Sequence, residues 1–237
     1  MEFNRAARST ISTDNVQYNE GLRAYMLKIY NYMAGALGVT GIVAFMASSS
    51  PALMEMIFGT PLKYVAIFAP LGIVLYLSFR VANLSLKSAQ TWFWVYAAAM
   101  GLSLASIFLV YTGTSIARTF FITAAVFGGM SLYGYTTKKD LTGMGSFLIM
   151  GVFGLIIASI VNIFLKSTGL EFAISAIGVI IFTGLTAYDT QKLKEVYYVA
   201  AGNSESLGKA AVMGALTLYL DFINLMIMLL RFIGDRK

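Results

Sequence analysis

The sequence predicts an all-α fold, a polytopic membrane protein built as a bundle of seven transmembrane helices. Three observations carry this expectation. Of 237 residues, 58% are hydrophobic and 12% charged, where a soluble domain carries about 25% charged residues. Seven stretches each supply the roughly 20 mostly apolar residues that a helix needs to cross the hydrocarbon core. Nothing alternates with the period of a barrel strand, and in lipid only helices and closed barrels satisfy their own backbone.

Residues 1–24 are polar and mixed in charge. They lack the short apolar core and small-residue cleavage site of a signal peptide, so they read as a mobile cytosolic tail. The expected spans are 25–47, 63–82, 91–112, 117–136, 146–165, 172–192 and 210–232. Connections are short and no Pro/Gly/Ser-rich linker divides the chain. Residues 25–234 therefore read as one domain, with 235–237 a short tail. The first span carries Gly35, Gly38 and Gly41, and the fourth carries Gly128, Gly129 and Gly134. Small residues of this kind are expected to mark close helix contacts. Pro70 lies inside the second span, where a kink is expected. Trp92, Trp94 and Tyr96 open the third and suit an interfacial aromatic belt.

Lys and Arg set the expected orientation. With the N-terminus cytoplasmic, the inside segments hold Arg5, Arg8, Arg23, Lys28, Arg80, Lys87, Lys138, Lys139, Lys192, Lys194 and Lys209. The outside loops hold Lys63, Arg118 and Lys166. That bias favours a cytoplasmic N-terminus. A seventh span puts Arg231, Arg236 and Lys237 outside, whereas a re-entrant last segment would put them inside. Seven spans are preferred, because the last segment is long enough to cross.

The chain has no Cys and no His. Disulfides, thiolate nucleophiles, iron–sulfur clusters, histidine metal sites and a Ser-His-Asp triad are excluded. So is the usual proton switch near neutral pH. The net charge of +6 is spread over segment ends, which fits topology rather than nucleic-acid binding.

Against this background two acids stand out. Asp189 lies in IFTGLTAYDTQKLKEVYY (181–198) and Asp221 in LTLYLDFINLMIMLLRF (216–232). Thr217, Asp221 and Asn224 share one helix face, which Arg231 extends; Thr186 lies three residues before Asp189. Arg80 and Asp189 each fall about 17 residues into outside-to-inside spans, so both sit ~25 Å deep and a pair is plausible. Asp221 comes ~17 Å from the cytoplasmic end, leaving a gap of several ångströms that sequence does not close. An acid at a helix centre costs roughly 2.5–3.5 kcal/mol on insertion scales, which invites a partner or a task.

Two neighbouring carboxylates cannot easily both ionise, so the pair would share one proton. Proton loss would add repulsion and open the bundle, and Arg80 would oppose that opening. Hydrogen-bonded helix glue remains the simpler alternative. An intramembrane aspartic protease fits poorly: Tyr188–Asp189 resembles its first motif, but Leu218-Tyr219-Leu220-Asp221 lacks Gly-x-Gly-Asp and no Pro-Ala-Leu follows. No enzymatic activity and no cofactor are therefore expected. Calcium wants six to eight oxygens. Asp189 and Asp221 with Thr186, Thr217 and Asn224 offer too few for a tight site, so a transient metal contact at the two acids fits better.

Four stretches together resemble the Bax inhibitor-1 (transmembrane Bax inhibitor motif) family over roughly residues 20–234. They are RAYMLKIYNYMAGALGVTG (23–41), TAAVFGGMSLYGYTTKKDLTGMGSFL (123–148), TGLTAYDTQKLK (183–194) and ALTLYLDFINLMIMLLR (215–231). The resemblance implies a seven-helix bundle with the last helix central, enclosed by the other six. It implies a pH-dependent calcium leak gated by an aspartate pair and an arginine. Asp189 and Asp221 match the family's sensor acids; Arg80 transfers only by its place in the second helix. The partners implied are the lipid bilayer, calcium ions and protons, and a membrane protein such as an AAA protease. The expected location is a bacterial inner membrane, with the endoplasmic reticulum as the alternative. A non-transporting regulator that binds other membrane proteins, or modulates stress and cell-death responses, is the competing function.

Overall fold

The computed structural model describes residues 3–200 and 202–237, with side chains from Glu20 onward. The expected tail's side chains before Glu20 lie outside the described residues. The long helices are α1 (Phe3–Ser48), α3 (Leu62–Arg80), α4 (Leu86–Leu104), α6 (Gly113–Thr136), α7 (Thr142–Leu165), α8 (Thr168–Ala200) and α9 (Ser204–Ile233). Two short helices, α2 (Pro51–Phe58) and α5 (Ile107–Val110), follow α1 and α4. Among the described residues seven helices are long and apolar enough to cross a membrane, and they contain the expected spans, except that the second and third run past the ends of α3 and α4. The protein is an integral membrane protein.

Local chemistry sets the helix ends. Ser50, Ser85 and Thr112 each accept the backbone N–H three residues on, and Asn203 accepts from Glu205 and Ser206. These caps satisfy donors that a helix start leaves unpaired. α3 continues through Pro70, which is buried.

α9 is the axis. It packs chiefly against α8, α1, α6 and α4, and 67% of its most apolar window is buried, against 11% for α3 and α7. The last helix is thus central, as expected, with a refinement. α3 stands further out behind α4, and α7 behind α8. In lipid an apolar outer face carries no penalty, so these helices need only one neighbour.

The aromatic belt needs correction at one position. Tyr96 is fully buried and meets the Tyr219 ring edge-on at 5.5 Å, while Trp92 lies against Tyr76. Tyr219 Oη and Thr40 Oγ1 are 2.7 Å apart, and Thr40 donates to the Ala97 carbonyl. This polar knot ties α1, α4 and α9 together.

The C-terminal tail lies on the face opposite the start of α9. Thr112 N–H donates to Asp235 O, Lys237 N–H to Val110 O, and Arg236 pairs with Glu171 at 2.6 Å. α9 therefore crosses the bundle and does not re-enter.

Candidate functional site: a buried carboxylate pair

α8 and α9 form an antiparallel hairpin whose register is fixed by small residues. Gly178 receives Met228, and Gly214 receives Leu193. In that register Asp189 is level with Thr217, and Asp221 is one turn further along α9, ~5 Å away in depth. The side chains nevertheless meet. Every helical side chain leans toward its own N-terminus. In an antiparallel pair Asp189 and Asp221 therefore lean toward each other, and their carboxyl groups come within hydrogen-bonding reach. This closes the depth gap left by the sequence without any shift of α9.

The pair is largely withdrawn from the protein surface. Asp221 is 5% exposed and Asp189 partly buried. With both groups ionised, Asp221 Oδ2 has no hydrogen-bond partner. A carboxylate oxygen in that position is costly. One proton held between the two acids removes the cost, because a protonated carboxyl donates where an ionised one only accepts.

Two close approaches hold Asp189 in place. A Cβ on Gly134 of α6 would collide with the Ala187 carbonyl, and one on Gly145 of α7 with the Tyr188 ring. Beside Asp189, Thr190 is 3.0 Å from Ser131, which is 2.5 Å from Tyr30 Oη. This hydroxyl chain runs from α8 through α6 to α1, and the sequence reading missed it.

Arg80 does not join the pair. It is the exposed last residue of α3, and α3 packs against α4, away from α8. Ion pairs among the described residues are Lys209–Glu205 and Arg236–Glu171. Equal depth fixes one coordinate only, and the packing order places Arg80 elsewhere. At a helix end its charge suits the membrane surface. A cation that does stand near Asp189 is Lys192, one turn along the same helix and lining the same cavity. The i, i+3 spacing was the signal that could have found it.

Of the other expected polar residues, Thr217 lines a cavity of about 190 Å3 with Asp189, Lys192 and Met213. It reaches from Val196 and Ala210, on the side of the α8–α9 turn, up to the acid. Thr186 is buried and donates to the Phe182 carbonyl of its own helix, and Asn224 is partly buried; neither lines that cavity. Toward the other face, Leu225, Leu229, Ile174, Ile181 and Phe182 form an apolar plug. Beyond it opens a polar cavity of about 700 Å3 lined by Glu171, Arg231, Arg236 and Asn162. Among the described residues no three acidic side chains gather into a metal cage. A cation at this depth would have at most two acidic side chains, Asp189 and Asp221, with the Thr217 hydroxyl beside them.

The fold and site define a polytopic membrane protein of seven spans with two neighbouring carboxyl groups on its last two helices. Comparison with known proteins narrows this. Residues 22–237 match the family described as "Inhibitor of apoptosis-promoting Bax1", and the chain belongs to that family. It is 54% identical to the uncharacterized protein RP147 of Rickettsia prowazekii, over 96% of each chain. It is 48% identical to the inner membrane protein YbhL of Escherichia coli K12, over 94% of this chain and 96% of that one. It is 39% identical to the uncharacterized protein YrjE of Lactococcus lactis, over 92% and 93%.

Proposed function

We propose that this protein is a pH-gated calcium leak of a bacterial inner membrane. The observation that carries the reading is the Asp189–Asp221 pair, set between a cavity on one face and an apolar plug backed by a polar cavity on the other. When the two acids share a proton, they join α8 to α9 and the plug stays packed. When the proton leaves, two charges face each other in a largely buried site and repel. Repulsion loosens the hairpin, and the vacated carboxylates offer oxygen ligands to a passing cation. Lys192 at the cavity wall tunes that charge, the part the sequence reading gave to Arg80. The basic residues of the N-terminal half favour a cytoplasmic N-terminus, and YbhL's inner-membrane description supports the location.

The test is calcium entry into proteoliposomes with dye inside, at about pH 6 and pH 8, comparing wild type with Asp221→Asn. Wild-type flux changes with pH, and the variant, which cannot lose the proton, loses that dependence. A variant with an unaltered pH profile would falsify the gate.

One observation favours a second reading. Among the described residues, the buried cluster beyond Asp221 toward the far face is apolar and offers little of a polar route. A non-transporting regulator that binds another membrane protein, such as an AAA protease, would need none. Absence of flux after reconstitution, with a stoichiometric partner on purification, selects it.

A further inference from the structure

The seam between α1 and α6 is hollow. Both helices pack on α9 but not extensively on each other, and the Tyr30–Ser131 hydrogen bond joins them. Two cavities run end to end along the seam, of about 500 Å3 and about 470 Å3. Each falls in the roughly 300–1,000 Å3 range of ligand pockets. Gly41 lines one and Gly128 the other, and a Cβ on either would meet nothing within 4 Å. The expectation that these glycines mark helix contacts is corrected here: Gly35 meets Trp94 and Gly134 meets α8, but Gly38, Gly41, Gly128 and Gly129 face open space.

The larger cavity has a polar end. It begins at Arg23 and Tyr135 and continues past Met26 and Phe127 to Met33. Along α1 that is ~15 Å, the depth of one leaflet of a ~30 Å hydrocarbon core. Two cations stand at the polar end. Arg23 is exposed, and Lys194 Nζ bonds the Tyr135 carbonyl. Neither makes an ion pair among the described residues.

We propose that this seam is a binding site for an anionic phospholipid of the leaflet on the N-terminal side. The headgroup phosphate sits at Arg23 and Lys194, and one acyl chain lies between α1 and α6. Charge complementarity selects the occupant. A free phosphate would leave the apolar length unfilled. The site stands apart from the carboxylate pair and does not depend on the flux reading.

The experiment uses nanodiscs containing phosphatidylglycerol and phosphatidylcholine in equal parts. Lipid retained after detergent extraction is counted by native mass spectrometry. Wild type retains phosphatidylglycerol preferentially. Arg23→Gln lowers that retention about fivefold, the worth of one basic residue at an anionic surface. Gly128→Leu, which fills the cavity, removes it. Gly154→Leu on α7, also facing open space but outside the seam, leaves it unchanged. Equal retention of both lipids by wild type, or wild-type retention by both Arg23→Gln and Gly128→Leu, overturns the proposal. Should Gly128→Leu not fold, the exposed Arg23→Gln decides alone.

Discussion

Along the α8–α9 seam, Gly178 and Gly214 are filled by Met228 and Leu193. Along the α1–α6 seam, Gly41 and Gly128 face empty space. The same residue type, one on each helix of the seam, produces a sealed joint in one place and a slot in the other. The difference lies in what the facing helix supplies. α8 and α9 offer long side chains at matching heights, whereas α1 and α6 are each held by α9 and meet through the Tyr30–Ser131 hydrogen bond. A small residue in a membrane helix permits approach and does not compel it.

Substitutions that add bulk sharpen this contrast in graded order. The largest effect is expected at Gly134→Leu. There a Cβ would press on backbone at Ala187, and backbone cannot step aside. A loss of about 3 kcal/mol or more, the upper end of overpacking costs, should leave little folded protein in thermal melts in detergent. A wild-type melting temperature would mean that α6 and α8 stand further apart. Gly178→Leu comes next. Met228 is flexible and can yield, so a cost of about 1–3 kcal/mol is expected in the same melt. Gly41→Leu, in the α1–α6 seam and facing open space, should stay within about 0.5 kcal/mol of wild type. A large loss there would erase the distinction between the two seams.

The smallest effect lies outside both seams, in the loop between α6 and α7. The Asp140 carboxylate accepts hydrogen bonds from Thr142, which hold its pKa below the ordinary value. A lowered folded-state pKa stabilises above the unfolded value of about 3.9 and is lost as pH falls through the folded one. Asp140→Asn should therefore lower the melting temperature slightly at neutral pH, and the difference should vanish in acid. A difference that persists in acid would assign it to shape rather than charge.

Much of this was legible in sequence. Hydropathy alone placed the seven spans, because a length of about 20 apolar residues is a strong constraint. The two acids were legible because charge is rare at that depth. What failed was lateral. Arg80 and Asp189 share a depth, but which helices are neighbours depends on packing order, which composition does not encode. Tyr96 sits beside two tryptophans in the chain yet points the other way, into Tyr219. The meeting of Asp189 and Asp221 followed from the antiparallel lean of side chains, which was available before the structure.

The central position of α9 also bears on how the protein is made. Chains emerge and fold from the N-terminus, so the axis of this bundle leaves the ribosome after the six spans that surround it. The six earlier spans must wait in the bilayer around an unfilled slot, with the buried faces of α1, α4, α6 and α8 unpaired. The final segment enters carrying Asp221 through that slot and meets Asp189 at its end. The residues after α9 then fasten to Val110, Thr112 and Glu171, which closes the assembly only after all seven spans are in place.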